Sequence, residues 1–106
     1  MKELIYKLLD ILSMGKGLKR TVNGHTLRLP TRYFKYFPKN YESENFEFLS
    51  NSCKPGAVVI DIGAHIGLFS VVASQITGKT GKVYAFEPAP DTFKKIKKTI
   101  VINHEE

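Results

Sequence analysis

The first apolar pattern of the chain predicts an amphipathic helix at its N-terminus. Its apolar residues recur at helical spacing and form one stripe, made of Leu4, Ile5, Leu8, Leu9 and Leu12. Gly15 and Gly17 follow and are expected to end the helix. Such a helix either docks on the domain or on a partner chain, or it binds an anionic membrane surface. The pattern leaves both interpretations open.

The next pattern is that of a β-hairpin. Asn23 and Gly24 follow Val22 and precede the alternating Leu27 and Leu29. Both central residues of a type I′ turn need a positive φ, which an Asn-Gly pair tolerates. The sequence therefore predicts two short antiparallel strands on either side of this pair.

An aromatic segment and a short helix come after the hairpin. Residues 32–39 interleave aromatic rings with Lys and Arg, a pattern that single-stranded nucleic-acid binders use. We expect these rings to cover a core with the basic stems lying over them, so nucleic acid is not an expected partner. Residues 42–51 predict a short helix with Phe46 and Leu49 on its apolar side.

The second half of the chain alternates strands and helices. Residues 57–60 form a continuous apolar run, which predicts a strand buried on both faces, as in a parallel sheet. A glycine turn and an apolar helix over residues 68–76 lead to a second strand, Lys82–Phe86. Pro90 suits the first position of a last helix. Its expected inward stripe is Phe93, Ile96, Ile100 and Val101, and its expected water-facing residues are Lys94, Lys95, Lys97 and Lys98.

Charge divides the chain into two parts. The 106 residues carry 16 Lys and Arg against 10 Asp and Glu, a net charge of +6. Residues 1–40 account for +7 and residues 41–106 for −1, so attraction to an anionic surface belongs to the first part. We predict a basic extension of helix and hairpin over residues 1–40, followed over residues 41–106 by the N-terminal half of a ligand-binding domain.

The composition also limits the chemistry of the chain. A single cysteine, Cys53, cannot form an intramolecular disulfide, which favours a reducing, cytoplasmic location. With three histidines and no paired cysteines, the sequence predicts no metal site. No apolar run approaches the roughly 20 residues that a membrane-spanning helix needs.

Candidate chemistry lies where the two later strands end. Asp61 ends the first strand, Gly63 and Gly67 frame the turn, and Glu87 ends the second strand, 20 residues after Gly67. In nucleoside-binding α/β folds an acid at that place accepts hydrogen bonds from ribose hydroxyls. The turn lacks the middle glycine of a dinucleotide fingerprint. S-adenosylmethionine needs an acid for its ammonium, a glycine turn and an acid for its ribose, and these residues match all three.

Two segments carry a resemblance to a known family. Residues 59–67 (VIDIGAHIG) and 83–88 (VYAFEP) closely resemble the FkbM-type family of class I S-adenosylmethionine-dependent methyltransferases. The resemblance is best over residues 41–103 and extends to the upstream hairpin with its Tyr41-Glu42 pair. It implies an α/β, Rossmann-like class I methyltransferase fold. It also implies that seven residues bind the cofactor: Asp61, Gly63, Ala64, His65, Gly67, Glu87 and Pro88.

The chain departs from this family at two positions and in its length. His65 and Ala89 stand where the family often has Asn, so no side-chain contact is carried over to either position. The family's sheet is larger, and this chain ends at Glu106, so the expected fold is truncated after the second βα unit. The general base would lie beyond Glu106, and no catalytic residue is assigned.

Two functions remain as expectations. The resemblance implies O-methyl transfer to a hydroxyl of a sugar, glycan or small metabolite, by an enzyme of which this chain is either a fragment or a truncated gene product, inactive alone. The alternative is a non-catalytic module that contacts a membrane surface or a partner protein through residues 1–20. In either case the unpaired edge of the later sheet predicts self-association and marginal stability.

Overall fold

The computed structural model describes residues 2–12 and 16–104, which form an α/β fold. Gly15, one of the two expected helix terminators, lies outside the described residues. The elements run in the order α1 (Lys2–Leu12), β1 (Leu18–Val22), β2 (His25–Leu29), a 3₁₀ helix (Thr31–Tyr36), α2 (Ser43–Ser52), β3 (Val58–Ile62), α3 (Leu68–Thr77), β4 (Lys82–Phe86) and α4 (Pro90–His104). No helix among these residues is long and apolar enough to cross a membrane.

The hairpin prediction is confirmed. β1 and β2 pair antiparallel, with Val22 opposite His25 across the turn. Asn23 and Gly24 both have positive φ, 49° and 83°, as the turn requires. The apolar residues Val22, Leu27 and Leu29 are almost completely buried.

The predicted strand–helix–strand unit is also present. β3 and β4 pair in parallel, with Val59 opposite Val83 and Asp61 opposite Ala85. Parallel neighbours need a crossover, and α3 provides it. Because the strands run the same way, their carboxyl ends meet at one edge, where Asp61 and Glu87 lie.

The prediction that β3 is buried on both faces is wrong. Val58, Ile60 and Ile62 are 63% to 82% exposed, and Tyr84 and Phe86 on the same face of β4 are also exposed. Alternate residues of a strand point to opposite faces, and α3 packs on the other face. β3 has apolar side chains on both of its faces, but within the described residues only one face is covered.

The predicted inward stripe of α4 is wrong in two of its four positions. Ile96 is buried and Ile100 half-buried, but Phe93 and Val101 are exposed. The four lysines of the helix are exposed as predicted. The helix packs against both α3 and β2, and this orientation buries Thr99 and Ile102 instead.

Asn103 explains the orientation of α4. Its Oδ1 accepts a hydrogen bond from the backbone N–H of Arg28 at 2.8 Å, and its Nδ2 donates to the Arg28 carbonyl at 2.9 Å. The same Nδ2 lies 2.7 Å from the carbonyl of Thr99. One amide side chain thereby satisfies the backbone of β2 and fixes the end of α4 to the hairpin.

One hydrophobic core joins the hairpin to the strand–helix–strand unit. Phe46 of α2 belongs to it and packs against Phe69 of α3, with ring centroids 4.6 Å apart. The hairpin residues Val22, Leu27 and Leu29 belong to the same cluster. Tyr33 and Phe37 are buried too, so two rings of the aromatic segment cover the core as expected.

Candidate functional site

The turn between β3 and α3 combines tight curvature with positive φ angles. Gly63, His65 and Gly67 have φ of 72°, 58° and 95°. His65 is a non-glycine residue in the left-handed region, where a side chain is uncommon and usually marks a tight or functional turn. Gly67 caps α3 without a side-chain hydrogen bond, which leaves amides at the start of that helix for a ligand.

The two glycines differ in what surrounds them. A Cβ at Gly67 would lie 2.8 Å from Cγ1 of Ile96, so this glycine is required where α3 meets α4. A Cβ at Gly63 would have no heavy atom within 4 Å. Gly63 therefore lies on the open side of the turn, where a ligand can approach the backbone closely.

Glu87 joins the turn to the end of β4. Its Oε1 accepts a hydrogen bond from the backbone N–H of His65 at 2.8 Å, and its Oε2 accepts from Ala89 at 3.1 Å. The N–H groups of Gly63 and Ala64 both donate to the carbonyl of Phe86, at 2.8 and 3.0 Å. The first three amides of the turn are thus used internally. Each oxygen of Glu87 still has acceptor capacity for a hydroxyl.

Asp61 is held in place by a hydrogen bond from α3. Its Oδ2 accepts a hydrogen bond from the hydroxyl of Ser70 at 2.6 Å. Ser70 is buried in the first turn of α3, so the helix fixes the orientation of the carboxylate. Hydrogen bonds to an ionised acceptor are among the stronger ones, and this one positions Asp61 before any ligand binds.

A cavity of about 720 Å³ lies beside the turn. This is within the usual size range of small-molecule sites. Of the seven residues predicted to bind the cofactor, Asp61, Gly63, Ala64 and His65 line it. The other three, Gly67, Glu87 and Pro88, are not among the described residues that line the cavity. Gly67 is buried in the protein interior, Glu87 accepts hydrogen bonds within the turn, and Pro88 is exposed.

The opposite wall of the cavity comes from the N-terminal part of the chain. It consists mostly of aromatic residues of the 3₁₀ helix and the segment after it, namely Tyr33, Tyr36, Phe37, Tyr41 and Glu42. None of these residues is among those predicted to bind the cofactor. The segment over residues 33–42 therefore contributes part of the cavity lining, together with the turn after β3.

The hairpin turn holds this wall in place. The backbone N–H of Asn23 donates to the carbonyl of Lys39 at 2.7 Å, and its Nδ2 donates to the carbonyl of Tyr41 at 2.5 Å. Glu42 then adopts a left-handed conformation, with φ 41° and ψ 50°, at the start of α2. This backbone conformation is uncommon for a residue other than glycine, and such strained positions concentrate at binding sites. In the sequence, the feature that could have indicated this wall is the Tyr41-Glu42 pair directly before the predicted helix.

Tyr41 and Glu42 influence each other. Burial raises the pKa of the Tyr41 hydroxyl above its usual value of 10.0, and the hydrogen bond and negative charge of Glu42 raise it further. Tyr41 also packs edge-to-face on Phe37, with ring centroids 4.9 Å apart. The phenol is therefore neutral at physiological pH and fixed at the cavity wall.

Comparison with known proteins identifies no relative. No protein-family model matches the chain, and no curated protein matches its sequence. No solved structure matches its fold either. Within residues 2–12 and 16–104 no group of three His, Cys, Asp or Glu residues could hold a metal ion.

Proposed function

We propose that this chain is the cofactor-binding part of an S-adenosylmethionine-dependent methyltransferase with a Rossmann-like fold, which transfers a methyl group to a hydroxyl of a sugar, glycan or small metabolite. The observation that carries the proposal is the hydrogen bond from the His65 amide to Glu87. This contact brings the glycine turn of β3 and the acid that follows β4 together at one sheet edge. Ligands of open α/β sheets bind at the carboxyl ends of the strands.

The residues present fit the cofactor group by group. Asp61, oriented by Ser70, offers a carboxylate to an ammonium. The uncapped start of α3 suits a carboxylate, because helix N-termini favour anions. Glu87 keeps acceptor capacity for ribose hydroxyls. When bound, S-adenosylmethionine supplies an electrophilic methyl group on a sulfonium sulfur.

The aromatic wall adds a second contribution. Tyr33, Tyr36 and Phe37 face a cavity that also holds Asp61. Aromatic faces attract cationic groups at short range, and they exclude water from a reacting centre. The proposed role of the wall is therefore to orient the cationic end of the cofactor and the acceptor hydroxyl. No described residue is assigned as the general base.

A dinucleotide fits the same turn less well. In G-x-G-x-x-G turns the second glycine lets the backbone approach a pyrophosphate. His65 occupies that position here and carries a side chain on a left-handed backbone. S-adenosylmethionine has no pyrophosphate, so the substitution disfavours NAD and FAD without affecting the proposed cofactor.

Calorimetric titration of the 106-residue chain with S-adenosylhomocysteine tests the proposal. We expect saturable binding that weakens about tenfold or more in Asp61→Ala and in Glu87→Gln, because one charge-assisted contact is worth about 1.5–3 kcal/mol. Glu87→Gln keeps an oxygen for the His65 amide, so the turn remains braced. The matched control is Asp91→Ala, an exposed acid of the first turn of α4.

Two outcomes would overturn the proposal. One is an absence of S-adenosylhomocysteine binding, by calorimetry and by amide chemical shifts of residues 61–67. The other is tighter binding of NAD than of S-adenosylhomocysteine. An equal loss of affinity in Asp91→Ala would show that the effect is a general one of charge.

A further inference from the structure

The apolar face of α1 is exposed although the helix packs on the domain. α1 contacts the 3₁₀ helix, and Leu9 is half-buried. Five other apolar residues are 49% to 78% exposed: Leu4, Ile5, Leu8, Ile11 and Leu12. At 100° per residue they share one side of the helix. Docking on the domain therefore leaves the larger part of the apolar stripe uncovered.

The 3₁₀ helix on which α1 packs is basic. Arg32 and Lys35 belong to the 3₁₀ helix against which α1 packs, and both are exposed. Their cationic groups lie over the rings of Tyr33 and Tyr36, at 5.5 and 5.1 Å from the ring centroids. Residues 1–40 as a whole carry +7. An exposed apolar stripe next to basic residues is complementary to a binding partner that has an apolar interior and an anionic surface.

Within the described residues, a second large apolar surface differs in this respect. The exposed face of β3 and β4 also presents apolar side chains, among them Ile60 and Phe86. It belongs to residues 41–106, whose net charge is −1. Of these two surfaces of the described residues, the stripe of α1 is the one that lies in a positively charged part of the chain and is complementary to an anionic partner.

We propose that α1 binds the surface of an anionic lipid bilayer. In this arrangement the exposed stripe inserts about 5–10 Å into the interface, as amphipathic helices do. Arg32 and Lys35 contact lipid headgroups, whose negative potential attracts basic groups within about a Debye length. The proposal does not depend on the methyltransferase assignment, because it uses none of the cofactor-binding residues.

Co-sedimentation with two kinds of vesicle tests this proposal with the full chain. One contains phosphatidylcholine alone, and the other also contains one quarter phosphatidylserine. We expect about tenfold more binding to the anionic vesicles at low salt, and loss of that difference at high salt, because the attraction is screened. Equal binding to both vesicles, or no binding to either, would overturn the proposal.

Variants identify the surface that binds. Leu8→Ser with Ile11→Ser should lower binding to anionic vesicles about tenfold, since two inserted side chains are lost. Arg32→Gln with Lys35→Gln should lower binding and its salt dependence while leaving α1 unchanged. The matched control, Ile60→Ser with Phe86→Ser, changes equally exposed residues of the sheet and should bind normally.

The same variants distinguish a membrane from a protein partner. If α1 instead contacts a second copy of this chain, the wild type will form dimers in analytical ultracentrifugation without vesicles, and Leu8→Ser with Ile11→Ser will be monomeric. That result, together with unchanged vesicle binding in the α1 variants, would refute the membrane proposal. Weaker binding in the sheet control than in the α1 variants would refute it as well.

Discussion

The two sheets of this molecule use similar residues but bury them to different degrees. In the hairpin, Leu27 is 2% exposed, while Ile60 in β3 is 63% exposed. Both are branched apolar residues in five-residue strands. The hairpin packs against α3 and α4 and shares a hydrophobic core with α3, whereas within the described residues β3 and β4 are covered on one face only, by α3. Apolar residue type therefore predicts a strand, but packing partners decide whether it stabilises the fold.

The largest expected effect measures this difference directly. Leu27→Ala should lower the free energy of unfolding by about 2–5 kcal/mol, because it leaves a cavity in the core. Ile60→Ala should change it by about 0.5 kcal/mol or less, because the side chain is mostly in water already. Urea denaturation followed by circular dichroism gives both values.

One outcome would contradict the predicted difference between the two variants. If Ile60→Ala costs as much as Leu27→Ala, the outer face of β3 is covered in solution, by self-association or otherwise. Repeating the denaturation at several protein concentrations then identifies self-association, because only an associated state has a concentration-dependent midpoint.

A second, smaller effect concerns the connection between the hairpin and the later helices. Asn103→Ala should cost about 1–3 kcal/mol, because the Arg28 backbone groups lose their partner in a partly buried place. Asn45→Ala, which removes an exposed bond to Glu42, is the matched control and should cost less. Hydrogen exchange at the Arg28 amide checks the cause, since only Asn103→Ala should accelerate it. An unchanged rate would contradict the role of Asn103.

Local signals explain which parts of the fold and site were predictable. Asn23-Gly24 and the turn from Gly63 to Gly67 have φ requirements that few residue types meet, so their places follow from the sequence. Asp61 and Glu87 were predicted at the ends of two successive strands, and the parallel pairing of those strands brings both acids to one sheet edge. The hydrogen bond of the His65 amide to Glu87 adds the bracing role of that acid.

Contacts between distant residues explain what was missed. The pairing of Asn103 with Arg28 joins positions 75 residues apart, and it sets which side of α4 is buried. The bonds from Asn23 to Lys39 and Tyr41 place the Tyr41-Glu42 wall over the cavity. No local periodicity encodes either contact. The exposed outer face of β3 was missed for the same reason, because a strand's sequence does not state what packs on it.

The smallest expected effect tests how firmly Tyr41 is held in the cavity wall, between the hairpin and the strand–helix–strand unit. Burial and Glu42 raise the pKa of Tyr41 in the folded protein above 10.0, so the neutral phenol stabilises the fold below that pH. As the pH rises past 10, the unfolded chain loses this proton first, and stability falls until Tyr41 ionises in the folded state too. Wild type should therefore lose more stability than Tyr41→Phe between neutral and strongly alkaline pH. Denaturation of both proteins at matched pH values measures the difference. If the free energy of unfolding falls equally with pH in both, Tyr41 is not buried against Glu42 in solution.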